Sequence, residues 1–209
     1  MADVGTDHGW LPLYLLQCGR AESAVATDIR EGPLSRAVSH AEEYDLPLRC
    51  VLCDGLSALS QNDADTVIVA GMGGENIVSI LSAAPWVQEH TRLLLQPMSR
   101  SEALRAAMPA LGLRILSETL IEDAGRLYTV IEAEGGAAEE LSPAEMYVGK
   151  QSLLADDPLR SRQLKEAAAR LRKIEKGLRS AEEDTERTRL SALRVILEDL
   201  VRIGGKEYA

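Results

Sequence analysis

Residues 1–12 read Met1-Ala2-Asp3-Val4-Gly5-Thr6-Asp7-His8-Gly9-Trp10-Leu11-Pro12. A short apolar strand runs up to Asp3 and Val4, glycines follow at 5 and 9, and a helical pattern begins near Trp10. A strand–glycine turn–helix unit points backbone N–H groups at a ligand from a helix N-terminus. The spacing that cradles a dinucleotide pyrophosphate is G-x-G-x-x-G. The spacing here is D-x-G-x-D-x-G, with Asp7 in the slot of the middle glycine. A carboxylate there repels pyrophosphate and favours a cationic ligand, because contacts between ionised partners are strong.

Outward from this turn, short apolar runs alternate with helical periods. Strands are expected at 1–4, 23–29, 48–53, 65–71, 92–97, 113–122 and 126–134, and helices at 10–18, 33–45, 74–83 and 99–110. The continuous Val/Ile/Leu runs suit a parallel sheet covered on both faces, and the alternation predicts a doubly wound α/β fold. Only Glu122–Gly125 separates the last two runs, so they are expected to pair as an antiparallel hairpin at the sheet edge. The chain starts directly on its first strand, and a few residues that normally precede such a strand are expected to be absent.

The strand ends carry the chemistry. Asp28 closes the second strand about 20 residues after the glycine turn, where an acid accepts from both ribose hydroxyls of an adenosine cofactor. Ile29 follows it. Asp54-Gly55 closes the third strand, where an acid can accept from an adenine amino group. Asp at strand ends is also ordinary turn chemistry. Three acids at three successive strand ends favour the cofactor reading. The spacing fits the D/E-x-G-x-G-x-G turn of S-adenosylmethionine-dependent methyltransferases, whose donor has a sulfonium and an ammonium and no phosphate. The fourth strand ends in Val69-Ala70-Gly71-Met72-Gly73-Gly74, where glycines let a planar ring approach the backbone.

Cys50 and Cys53 form a C-x-x-C within a strand, and positions i and i+3 of a strand face opposite ways. They are expected to be small core residues, neither a metal site nor a disulfide. No metal is expected elsewhere.

The character changes towards the C-terminus. Leu164, Ala167, Leu171, Ile174, Leu178 and Ala181, then Leu190, Leu193, Leu197 and Leu200, keep heptad spacing. Two helices joined by the polar turn at 182–188 predict an antiparallel coiled-coil hairpin, too thin to hold a core of its own, with Gly204-Gly205 as its stop. The expected division is 1–155 for the α/β domain and 156–209 for the hairpin. Arg160, Arg162, Lys165, Arg170, Arg172, Lys173, Lys176 and Arg179 crowd the first helix, in a chain of net charge -10. Such a run is either a solvated face or a phosphate-contacting one.

With these residues in view, "ADVGTDHGWLPLYL", "ATDIREGPL", "DGL", "VIVAGMGG" and "LLLQP" resemble the ordered blocks of bacterial tRNA (adenine-N1)-methyltransferases of the TrmK type, which modify adenine 22 of tRNA. The resemblance covers nearly the whole chain. It implies a Rossmann-like class I methyltransferase sheet with a C-terminal coiled-coil hairpin, S-adenosylmethionine as cofactor and tRNA as partner. It implies cofactor-pocket roles for Asp3, Gly5, Asp7, His8, Asp28, Asp54, Gly71 and Met72, with Ile29 and Gly55 alongside. It also implies a helix before the first strand, which this sequence lacks. Asp7 and His8 are the candidates nearest the reaction, though His8 is equally read as a helix-start residue packed over the loop. The basic helix is the expected tRNA platform. A monomer is expected, with pairing of two chains through the hairpin as the alternative. No apolar run approaches the ~20 residues of a membrane span, so the expected location is the cytoplasm. Two other readings stay open: a methyltransferase for another acceptor, and a noncatalytic binding module on the same scaffold.

Overall fold

A computed structural model of the chain describes residues 1–178 and 184–205. Arg179, Ala181 and residues 182–183 of the expected turn lie outside the described residues. The elements are β1 (Ala2–Val4), α1 (Trp10–Gln17), β2 (Ala24–Asp28), α2 (Glu31–Glu43), β3 (Leu48–Leu52), β4 (Thr66–Gly73), α3 (Gly74–Ser82), β5 (Arg92–Ser99), α4 (Ser101–Ala107), β6 (Leu113–Asp123), β7 (Arg126–Gly135), α5 (Pro143–Val148), α6 (Arg160–Leu178) and α7 (Asp184–Gly204), with a 3-10 turn at Pro85–Gln88.

The seven strands lie in the order β3-β2-β1-β4-β5-β7-β6. β1 pairs in parallel with β2 and β4, β2 with β3, and β4 with β5. β7 joins β5 antiparallel, with Leu95 opposite Ile131. The order reverses between β1 and β4, and a crevice opens at the carboxyl ends of such strands. The central strands bury Ala2, Val4, Val67, Val69, Leu93, Leu95 and Ile131 almost completely. Each Val, Leu or Ile among them contributes roughly 1.5–3 kcal/mol of burial, so the inner strands are a stiff base for the loops above them.

Several boundaries differ from the sequence expectation for local reasons. β4 continues past residue 71 to Gly73, with register shifts between Ala70 and Met72 and between Met72 and Gly73. Bulges of this kind re-aim side chains beside functional sites. α2 starts at Glu31, before Pro33, because the first helical turn needs no N–H from proline. Cys50 and Cys53 are half-buried rather than core residues, since β3 is an edge strand and has a neighbour on one side only.

The chain forms two compact units: Met1–Ser117 with Val130–Glu139, and Glu118–Thr129 with Glu140–Ala209. The division passes through β6 and β7, unlike the single boundary expected at 155/156. The turn joining these strands has positive φ at both Ala124 (47°) and Gly125 (78°), as a two-residue hairpin turn of type I′ requires.

The helical unit has a third helix, α5. Ser142 caps it: the Glu145 N–H donates to Ser142 Oγ (3.4 Å) and the Ser142 N–H donates to Glu145 Oε2 (3.0 Å), with Pro143 leading the helix. Asp199 of α7 accepts from the Ala144 N–H (2.8 Å), tying α5 to α7. Burial works to raise the Asp199 carboxyl, but hydrogen bonds from Ser142, Ala144 and Arg202 leave it below the usual range. Ala144, Val148, Leu164, Ala168 and Leu200 pack together and are nearly fully buried. The expected pair of C-terminal helices is present as α6 and α7; only the expectation that it holds no core of its own is corrected, because α5 packs against one end of it. Further along, Leu171, Leu178 and Leu193 form a second cluster that closes the seam between α6 and α7. Ile174 departs from the expected seam and is 37% exposed. Residues 184–188, expected in the turn, are the first part of α7. Among the described residues no helix is long and apolar enough to cross a membrane.

Candidate active site

The turn after β1 is fastened to its neighbour strand. The N–H groups of Gly5 and Thr6 both donate to the Thr27 carbonyl (2.8 and 2.9 Å), and the Gly9 N–H donates to the Thr6 carbonyl (3.0 Å). Gly5 and Gly9 sit at φ 69° and 76°, a region that glycine enters without steric penalty. Asp7 holds a glycine-like φ of 54°, so the chain keeps the middle-glycine backbone while carrying a carboxylate. Asp is among the few residues that tolerate it.

Asp3 lies beneath this turn. Its carboxylate accepts from Thr6 Oγ1 (2.7 Å) and is 5% exposed. Burial pushes the carboxyl up to about 6, against the lowering effect of Thr6. At the end of β2, Asp28 accepts from the Asp7 N–H through Oδ2 (3.2 Å) and from the Arg30 N–H through Oδ1 (2.8 Å). The Arg30 guanidinium lies 3.6 Å from Asp7 and 3.7 Å from Asp28. Backbone groups of two loops thus fix the Asp28 carboxylate, and Arg30 partly offsets two neighbouring negative charges.

His8 is held differently. Arg36 Nη1 stands 3.0 Å from His8 Nε2, and a guanidinium can only donate. His8 Nε2 is therefore the acceptor and the ring proton sits on Nδ1. The His8 carbonyl accepts from His40 Nδ1 (3.0 Å).

A cavity of about 670 Å³ opens at the carboxyl ends of β1–β4. Val4, Gly5 and Asp7 line it from the first turn, and Asp28, Ile29 and Arg30 from the second. Asp54 and Gly55 line it from the third, and Ala70, Gly71 and Met72 from the fourth, while α3 adds Asn76, Ser79 and Ile80. Of the residues expected from sequence, Gly5, Asp7, Asp28, Ile29, Asp54, Gly55, Gly71 and Met72 meet here. Asp3 and His8 are not among the lining residues: one is under the turn and the other faces Arg36. Asn76, Ser79 and Ile80 escaped the sequence reading. Their i, i+3, i+4 spacing puts them on one face of α3, which was the available signal. The Gly71 N–H donates to Gln96 Oε1 (2.9 Å), so β5 props the turn that follows β4.

The donor set fits S-adenosylmethionine. Three carboxylates and one guanidinium favour hydroxyl donors and cations over phosphate, and Ile29, Met72 and Ile80 offer apolar surface to a flat ring. The volume falls in the range of small-molecule sites, roughly 300–1,000 Å³.

In the helical unit, the expected tRNA residues divide. Arg160 donates to Gln151 Oε1 (2.8 Å). Arg162 pairs with Glu122 and Glu166 (2.7 Å each), and these partners raise its guanidinium above its usual range. Arg172 is half-buried. Lys165, Arg170, Lys173 and Lys176 are exposed, opposite the buried stripe of α6, and pair with no carboxylate among the described residues.

The family model described as tRNA (adenine(22)-N(1))-methyltransferase matches residues 1–198. The enzyme of that name from Bacillus subtilis (strain 168) is 33% identical over 139 residues, which cover 65% of this chain and 58% of that protein. The aligned stretch is thus less than two thirds of that relative's length. The crystal structure of the B. subtilis M1A22 tRNA methyltransferase TrmK superposes with a TM-score of 0.87 at 26% identity, covering 98% of this chain and 91% of that one. Streptococcus pneumoniae Sp1610, in complex with S-adenosyl-L-methionine, superposes with a TM-score of 0.76 at 29% identity, covering 93% and 91%.

Proposed function

We propose that this chain, which belongs to the tRNA (adenine(22)-N(1))-methyltransferase family, methylates N1 of adenine 22 in tRNA with S-adenosylmethionine as donor. The observation that carries this is the convergence of Asp7, Asp28 and Asp54 with Gly5, Gly71 and Met72 on one cavity at the sheet's switch point. Asp28, oriented by two backbone N–H groups, would hold the ribose hydroxyls. Asp54 would accept from the donor's adenine amino group, and Asp7 would face its positive charge. When bound, the donor supplies an electrophilic methyl on a sulfonium.

Ring N1 of neutral adenine already has a lone pair. The chain has to position that base rather than deprotonate it, and positioning alone supplies a large part of a barrier. The glycine-rich turn at Gly71–Gly74, held by Gln96, is where a flat base can lie against backbone. Asp7 can accept from its exocyclic amino group. His8, engaged by Arg36 and His40, serves to hold the loop. A stacked adenine must leave its stack to reach the pocket. Lys165, Arg170, Lys173 and Lys176 supply phosphate contacts that the acidic remainder of the chain lacks.

The chain acts as a monomer in this account, since α6 and α7 close their apolar seam within one chain. Its substrate places it in the cytoplasm. The test is methyl transfer to an unmodified tRNA transcript, followed by digestion and mass spectrometry of the nucleosides. N1-methyladenosine should appear, and should vanish when adenine 22 is replaced by guanine. A wild-type protein that binds S-adenosylmethionine but forms no N1-methyladenosine would overturn the proposal.

A further inference from the structure

We propose that Trp10 and Tyr14 of α1, with Arg36 of α2, form a platform on which an unpaired nucleobase of the RNA substrate stacks beside the cavity. The inference rests on the tRNA methylation proposed above. The chain has two tryptophans and no phenylalanine. One tryptophan, Trp86, packs on the central core. Trp10 is instead 55% exposed, and Tyr14, one helical turn on, is 64% exposed. Single exposed apolar side chains need no explanation, but this one is preorganised. The Trp10 ring stacks on His40 with centroids 4.2 Å apart and an interplanar angle of 27°. His40 is in turn fixed by its bond to the His8 carbonyl. One indole face is taken and the ring orientation is set, so a base on the other face meets a surface already ordered.

Charge selects the partner. Arg36 donates to an imidazole nitrogen and pairs with no carboxylate among the described residues. No ion pair among the described residues therefore offsets it, in a chain of net charge -10. An aromatic plane beside an uncompensated guanidinium is the combination that binds single-stranded nucleic acid, by stacking and by phosphate contact. The location suits the substrate: His8, held by Arg36, adjoins Asp7, which lines the cavity. A nucleotide flanking the extruded adenine is the natural occupant.

The test compares Trp10→Leu and Trp10→Tyr with the wild type in tRNA methylation, tRNA binding, S-adenosylmethionine calorimetry and sedimentation. Trp10→Leu should raise the KM and Kd for tRNA on the order of tenfold, with S-adenosylmethionine affinity unchanged. Trp10→Tyr should restore both, since a stacking role needs an aromatic ring and a packing role needs only bulk. An unchanged KM in Trp10→Leu overturns the platform, as does a Tyr variant no better than the Leu variant. A changed sedimentation coefficient with unchanged tRNA affinity also overturns it, and marks a protein-docking face. If the wild type methylates no tRNA, the proposed function falls separately. The platform is then judged on oligoadenylate binding: fluorescence quenching in the wild type that is lost in Trp10→Leu sustains it, and equal quenching in both overturns it.

Discussion

The Met72 Cε methyl fills the space that a side chain on Gly5 would need, while Gly9 is backed by Ala37, whose Cβ would lie 2.8 Å from a new Cβ. The two glycines of the first turn are therefore constrained by neighbours of unequal stiffness. A methionine methyl can swing aside; a buried alanine on α2 cannot. Gly5→Ala should cost about 1–2 kcal/mol of stability, mostly from the left-handed backbone, and should lower S-adenosylmethionine affinity by displacing Met72 into the cavity. Gly9→Ala should destabilise more, because the helix itself has to move. Urea melts of the two variants give the comparison, and an equal loss in both would contradict it.

Asp28 accepts two backbone N–H groups from different loops. Asp28→Ala leaves both without that acceptor, at roughly 1–3 kcal/mol for each group that stays buried. Titration calorimetry should find S-adenosylmethionine affinity reduced at least about tenfold, the loss expected from about 1.4 kcal/mol of binding energy. Wild-type affinity in this variant would remove Asp28 from the ribose site.

The buried Asp3 carboxyl gives a pH signature. In the folded chain burial lifts its pKa to about 6, against 3.8 for a solvent-exposed aspartate. Between those values the folded state binds more protons than the unfolded one, so this group's contribution falls as pH rises from about 4 to about 6 and is level above. Asp3→Asn can still accept from Thr6 and has no charge to bury. It should be more stable than wild type at pH 7.5, by on the order of 2–3 kcal/mol, with the gap closing near pH 4. Denaturation midpoints of the pair at several pH values will show the convergence, and a constant gap would count against it.

Lys165, Arg170 and Lys173 stand exposed on α6 without carboxylate partners among the described residues. Their reversal to Glu should weaken tRNA binding and flatten its salt dependence, by roughly 0.9 in the log–log slope per lost phosphate contact on a duplex. S-adenosylmethionine affinity should not move. Mobility shifts at two salt concentrations decide; an unaltered slope would return α6 to a merely solvated face.

Ala124 occupies a turn position at φ 47° that disfavours a Cβ. Ala124→Gly or Ala124→Asn should raise the thermal midpoint, with about 1 kcal/mol available from the relieved backbone.

The sheet was legible because buried parallel strands leave long apolar runs, and their ends because Asp28 and Asp54 break those runs. The glycine turn was legible by spacing. What spacing leaves open is direction. His8 follows Asp7 in sequence, yet the left-handed backbone at Asp7 is accompanied by a His8 ring held by Arg36, outside the cavity lining. Asn76, Ser79 and Ile80 depend on the rotation of α3, which no local pattern states. α5 spans six residues, too few for a helical period, although Ser142-Pro143-Ala144-Glu145 spells its cap. The heptads are legible in both C-terminal helices, but the packing of α5 against one end of them is not.

The hairpin of β6 and β7 has its base in one compact unit and its tip in the other, so the backbone crosses the division at 117/118, 129/130 and 139/140. The buried Glu118, midway along β6, accepts from the Lys150 N–H (3.0 Å). The helical unit is therefore drawn from two separate stretches of the sequence and not from the C-terminal stretch alone. Recombination at a single breakpoint cannot move it as one block, because its residues lie in two stretches of sequence, 118–129 and 140–209. Inheritance of this unit requires inheritance of the hairpin, and the two must diversify together.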